Sequence, residues 1–116
     1  MIHMLSSFDL KPAQDPDVFQ ADYAEFVEDL ITAGMIVSAG PLGKRVADTP
    51  MDTDDDRDHS WFSTMSFRDR AQLDAAYAYI EARQNPSTKS HIRMYRRITN
   101  SIFLCWEDQP PEKDTP

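Results

Sequence analysis

The chain has 116 residues, 41% of them hydrophobic, with a formal net charge of −8 and one cysteine. The length predicts one domain, and the apolar content predicts a real core and excludes a disordered chain. The acidic balance argues against a binder of nucleic-acid phosphates, which needs a basic face, and the lone Cys105 excludes an internal disulfide framework or a multi-cysteine metal site.

No apolar run approaches the ~20 residues of a membrane span. Residues 1–10 lack the basic start and long apolar stretch of a signal peptide. With a lone thiol, these features predict a cytoplasmic protein that engages no membrane.

Residues 2–10 alternate, Ile2, Met4, Ser6, Phe8 and Leu10 against His3, Leu5, Ser7 and Asp9, which predicts a strand. Lys11-Pro12 ends it. Asp15 is a good N-cap and Pro16 suits the first helical position. Phe19, Tyr23, Phe26 and Leu30 then form one apolar stripe, which predicts a helix over 16–33 with Gly34 just past its end.

Residues 35–39 and 44–46 read as one strand kinked at Gly40. Residues 47–57 are acidic and polar and read as a loop. Residues 59–67 alternate His59, Trp61, Ser63, Met65 and Phe67 against Ser60, Phe62, Thr64 and Ser66, the plainest strand pattern in the chain. Asp69 caps a second helix carrying Leu73, Ala76, Tyr77 and Ile80, and Asn85-Pro86 stops it. A short third helix from Ser87 carries His91, Met94, Tyr95 and Ile98 and ends at Asn100. Residues 102–106 form the last strand.

The order β-α-β-β-α-(α)-β predicts an α+β, ferredoxin-like split β-α-β. The sheet is four-stranded and antiparallel, with two long helices on one face plus a short extra helix. Residues 1–107 form the domain and 108–116 a flexible tail. Both side-chain sets of the strands carry large apolar groups, among them Trp61, Phe62, Met65, Phe103 and Leu104. A sheet with one wet face alternates more cleanly, so a second copy packed through the sheet faces is expected.

Residues 40–54 (GPLGKRVADTPMDTD) and 65–80 (MSFRDRAQLDAAYAYI), set in this element order, carry a family resemblance. The chain resembles the dimeric α/β-barrel superfamily over about residues 2–107. That superfamily includes stress-responsive barrel proteins, small cofactor-free monooxygenases, muconolactone isomerases and heme-degrading relatives. More narrowly, the chain resembles an uncharacterised bacterial branch of dimeric ferredoxin-like proteins. The resemblance implies a homodimeric barrel and assigns no reaction.

His3 and His59 fall on strands that are neighbours in the ferredoxin-like order, as acid/base groups or metal ligands in the barrel interior, or else as strand-end imidazoles beside solvent or satisfied by a backbone carbonyl. With Trp61, Arg45 and Tyr23 they are the candidate ligand-binding residues. Asp52, Asp54 and Asp56 have D-x-D-x-D spacing, but Arg57 and Ser63 stand where a calcium loop needs Gly and Glu. A solvated loop pairing with Lys44, Arg45 and Arg57 is expected, with no tight metal site. Lys89, Arg93, Arg96 and Arg97 read as partners for acidic groups, or else as an anion site. Cys105, inside an apolar strand, reads as a small hydrophobe.

No nucleotide-binding or hydrolase motif occurs, so no cofactor is expected. The function expected is a homodimer binding a small organic molecule in a cavity between sheet and helices, with no nucleic-acid or membrane partner. The alternatives are a cofactor-free monooxygenase- or isomerase-like enzyme, and a ligand-free structural or regulatory dimer.

Overall fold

The computed structural model describes residues 1–83 and 87–110. In chain order these form β1 (Ile2–Leu10), α1 (Pro16–Thr32), β2 (Ser38–Ala39), β3 (Gly43–Lys44), β4 (Trp61–Phe67), α2 (Arg70–Glu81), α3 (Ser87–Tyr95) and β5 (Ile98–Glu107). Every pairing is antiparallel, in the order β2-β4-β1-β5, with β3 also on β4. β1 and β4 are therefore central. This is the ferredoxin-like plan, with an open sheet and three helices on one face.

Local chemistry sets the helix ends. The Asp15 carboxylate accepts from the Asp17 backbone N–H, and Pro16 opens α1. Past its last turn, Gly34 adopts φ +74° and donates to the Ile31 carbonyl while Met35 donates to that of Leu30. Those two bonds satisfy carbonyls the helix leaves unpaired, and glycine takes the left-handed backbone without a side-chain penalty. Asp69 caps α2 by accepting from the Gln72 N–H. The Asn85-Pro86 stop lies outside the described residues.

Three expectations are corrected. The second predicted strand is two short ones, because Pro41 offers no N–H and Gly40-Pro41-Leu42 bows away between the Gly40 N–H bond to Thr64 and the resumption at Gly43. The third helix stops at Tyr95 and not Asn100. Ile98 pairs with Leu10 and is buried, so three residues given to helix, 98–100, belong to β5. There the ladder bulges: Ser7 pairs with Ile102 but Asp9 with Thr99, and Asn100 takes φ +57°. Cys105 is exposed, because β5 is an edge strand that the helices do not reach across.

The sheet's two faces differ sharply. Ile2, Met4, Ser6 and Phe8 of β1 share a face with Trp61, Ser63, Met65 and Phe67 of β4, their ladder partners, and this face meets the helices. Phe19 of α1, 0% exposed, is wedged edge-on between Phe8 and Trp61 with ring centroids 5.5 and 6.0 Å away. The other face carries His3, Leu5, Ser7, Phe62, Thr64 and Ser66, with Ile102, Leu104 and Trp106 of β5. Trp61 and Met65 are thus core residues and not part of the open face. α3 packs on α1 through an Arg93–Glu25 ion pair of 2.6 Å, and Arg97, in the turn after α3, pairs with Asp22 of α1 at 2.7 Å. Arg97 also donates to Gln14. No helix among the described residues is long and apolar enough to cross a membrane.

Truncating Phe19 would leave a hole at the one point where α1, β1 and β4 meet. Phe19→Ala should lower unfolding stability by about 3–5 kcal/mol in denaturant melts. A loss under about 1 kcal/mol would show that α1 does not anchor the sheet.

Candidate functional site

A cavity of about 430 Å³ lies between the sheet and the helices. Its origin is local: Ser6 and Ser63 are ladder partners at the centre of the helix-facing side, and both are buried. Large apolar residues flank them along each strand, so the two small side chains leave volume unfilled. Tyr23 of α1 reaches this space, and its hydroxyl is buried with no hydrogen-bond partner among the described residues. Burial pushes the Tyr23 phenol pKa up, with the nearby Ser63 hydroxyl acting in the opposite sense. Phe26, Met65 and Met94 supply apolar wall, and α2 contributes Ala76 and Tyr77. His91 of α3 closes one side, its ring 5.1 Å from Phe26 and 5.4 Å from Tyr95. Burial pushes its pKa down, which favours the uncharged imidazole.

A second pocket, about 420 Å³, lies on the opposite side of the sheet, between its open face and the acidic loop. Arg45 organises that loop. Its Nε and Nη2 donate to the two oxygens of Asp52 at 2.8 Å each, Nη2 also to the Asp54 carbonyl, and Nη1 to the Arg57 carbonyl. Arg57 in turn pairs with Asp54 at 2.6 Å. The arginine bonds hold the carboxyls of Asp52 and Asp54 below the usual range. Among the described residues no three His, Cys, Asp or Glu side chains are arranged to hold a metal ion. His59, just before β4, is buried against the floor, and its Nδ1 lies 2.6 Å from Ser7 Oγ.

The five candidate residues divide among separate places. His59 and Arg45 line the outer pocket together. Tyr23 lines the inner cavity. Trp61 lines neither; its ring packs on Phe19, with the Lys44 ammonium 5.2 Å from its centroid. His3 is on the same open face as His59 but at the other end of β1. It bridges Ser66 Oγ (2.8 Å) and Asp108 Oδ1 (2.9 Å) and lies against Trp106. This contact holds the Asp108 carboxyl below its usual pKa.

A family model described as "Family of unknown function (DUF6614)" matches residues 1–115. This chain belongs to that family. No curated protein matches it in sequence. Among solved structures it is similar to At3g17210 from Arabidopsis thaliana, with TM-score 0.72 and 6% identity, covering 95% of this chain and 97% of that one. It is also similar to SnoaB, a cofactor-independent oxygenase from Streptomyces nogalater (TM-score 0.60, 12% identity, 97% of each chain). A third is a dimeric protein of unknown function and ferredoxin-like fold from Bacteroides fragilis (TM-score 0.59, 12% identity, 92% and 95% covered). At such identities the likeness establishes the fold, and function has to be argued from the site.

Reading the sequence alone misses three members of the inner cavity. Ser6 and Ser63 pass as ordinary strand residues, although small polar groups at the centre of an otherwise bulky apolar set were a readable sign of unfilled space. His91 shares a stripe with Met94 and is hidden by the arginines around it.

The Arg45–Asp52 pair has a pH signature. Asp52 is ionised and bonded in the folded chain, so its ordering of the loop is present above the ordinary aspartate pKa of about 3.9. That ordering is lost as pH falls through the lower folded value. Carboxyl-carbon NMR titration of Asp52 should give a midpoint below 3.9, and Arg45→Met should raise it; an unchanged midpoint would remove Arg45 as the cause.

Proposed function

We propose that this protein is a homodimer that binds a small, largely apolar organic molecule in the cavity between sheet and helices. The cavity itself carries the reading. Its volume falls in the range of small-molecule sites, and its lining is aromatic and aliphatic with few convergent polar groups. The buried, unpartnered Tyr23 hydroxyl supplies the orienting handle. An apolar space this size with one unmet hydroxyl gains from a ligand that brings both surface and a hydrogen bond.

The assembly rests on the open face. Leu104 is 59% and Trp106 46% exposed, and Ile102 stands beside them on the same face of β5. Burying each such side chain contributes about 1.5–3 kcal/mol. A two-fold pairing of open faces would cover both copies at once, and proteins with this fold from Bacteroides fragilis and Thermobifida fusca are dimeric. An interface of about 2,000 Å² or more fits an obligate homodimer.

His91 favours a second reading, a cofactor-free enzyme. An imidazole whose charged form burial disfavours, on the wall of a largely apolar cavity, is a competent proton acceptor. SnoaB, with the same fold, is a cofactor-independent oxygenase. Loss of a bound compound in aerobic buffer, abolished by His91→Phe, would select this reading over binding alone.

Binding is testable with 1-naphthol, which is flat, apolar and carries one hydroxyl. Its fluorescence should change saturably on titration. Ala76→Phe, which fills the cavity, should abolish the response, and Tyr23→Phe should weaken it by up to about tenfold. A response unchanged in Ala76→Phe, or none in the wild type, would favour a ligand-free dimer.

Sedimentation equilibrium at low micromolar concentration should return a dimer. Leu104→Asp should yield a monomer with unchanged far-UV circular dichroism. A well-folded wild-type monomer would overturn the dimer while leaving the cavity proposal standing.

A further inference from the structure

We propose that the outer pocket, between the acidic loop and the open face of the sheet, is a second ligand site. It would take a small uncharged molecule that presents a hydroxyl or carbonyl to His59. Three independent observations carry this.

The first is a ring nitrogen left for a ligand. His59 is 6% exposed and lines the pocket. Its Nδ1 is committed to Ser7 Oγ at 2.6 Å, which fixes the ring and leaves Nε2 as the nitrogen a ligand atom can meet.

The second is charge. The pocket contains two arginines and two aspartates, and they are matched to each other. Arg45 spans both Asp52 oxygens, Arg57 pairs with Asp54, and the remaining Arg45 donors go to backbone carbonyls. A carboxylate ligand would have to displace Asp52 from Arg45, and a cation would have to displace the arginines. An uncharged ligand disturbs none of these bonds.

The third is shape. Phe62 supplies an apolar wall, and Val46 and Met51 stand at the rim, Met51 being 89% exposed. The roughly 420 Å³ of open cleft between the chain's own loop and sheet accommodates one substituted ring. The Ser7–His59 bond also fits the choice of a hydroxyl. If serine donates to Nδ1, Nε2 carries the proton and donates; if Nδ1 donates to serine, Nε2 accepts. The pair can therefore meet either half of a hydroxyl by exchanging tautomers.

The test is an NMR titration of the full chain with phenol, benzoate and benzamidine, one ring bearing a neutral, an anionic and a cationic group. The His59 ring resonances are the reporters. Phenol should move them saturably, with benzoate and benzamidine much weaker. Ser7→Ala, which keeps the imidazole but frees Nδ1, should reduce the phenol affinity read at His59 by several-fold. Ala76→Phe should leave that response unchanged, which separates this site from the inner cavity. The proposal fails if phenol leaves His59 unmoved in the wild type, or if a charged ring binds there more tightly. It fails equally if His59 responds only once Leu104→Asp has broken the dimer, because a second copy would then be the occupant.

Discussion

The register of β1 on β4 is the constraint on which the rest of this molecule depends. Ile2 opposite Phe67 and Phe8 opposite Trp61 put four aromatic or aliphatic anchors on the helix-facing side, at both ends of the central pair. A slip of one residue would turn His3, Leu5 and Ser7 toward the helices and expose the anchors. The cost would fall on Phe19, which fills the gap between Phe8 and Trp61 and is fully buried there. Register, helix docking and core are therefore one cooperative choice.

The same register places Ser6 opposite Ser63 and Ser7 opposite Phe62. Because successive side chains on a strand point to opposite faces, the dipeptides Ser6-Ser7 and Phe62-Ser63 each serve both cavities. Ser6 and Ser63 line the inner one; Ser7 and Phe62 line the outer one. The two spaces lie back to back, separated by the thickness of the sheet. Their linings differ as their surroundings do. The inner cavity, roofed by helices, is mostly apolar, with the unpartnered Tyr23 hydroxyl beside Ser6 and Ser63 and the His91 imidazole on its wall. The outer pocket, roofed by a loop rich in aspartate, needs an arginine at its centre to hold that loop together, and Arg45 is there.

Much of this was legible in the residues. Period-two alternation over 2–10 and 59–67, the Asp15-Pro16 and Asp69 caps and Gly34 located the central strands, α1 and the start of α2 within one or two residues, while α2 ends at Glu81, short of the stop expected at Asn85-Pro86. Each signal is local and reflects the same bond or dihedral seen in the fold. The misreadings have a common cause, competition from distant partners. Ile98 continues the α3 stripe as well as any helical residue would, yet Leu10 of β1 claims it for the sheet. Cys105 sits in an apolar run that suggests burial, but its strand is at the edge. The site residues were harder still. His59 and Arg45 meet because the loop folds back, and Tyr23 is separated from them by the sheet. Nothing in their spacing encodes that.

Similarity at 6–12% identity over nearly the whole chain has a physical reading of its own. The fold asks only for apolar character at alternate strand positions and along two helix stripes, which many sequences supply. Chemistry asks for particular atoms, and here these are few: the Tyr23 hydroxyl, His91, and the Ser7–His59 pair beside Arg45. None of the four is needed to fill the core in the way Phe19 is. A buried phenol without a partner carries a desolvation cost that a phenylalanine at the same position would avoid. His59, held by Ser7 beneath the loop, is a polar pair where the fold asks only for apolar fill. Ligands on the two sides of the sheet would meet polar atoms that the fold itself does not require.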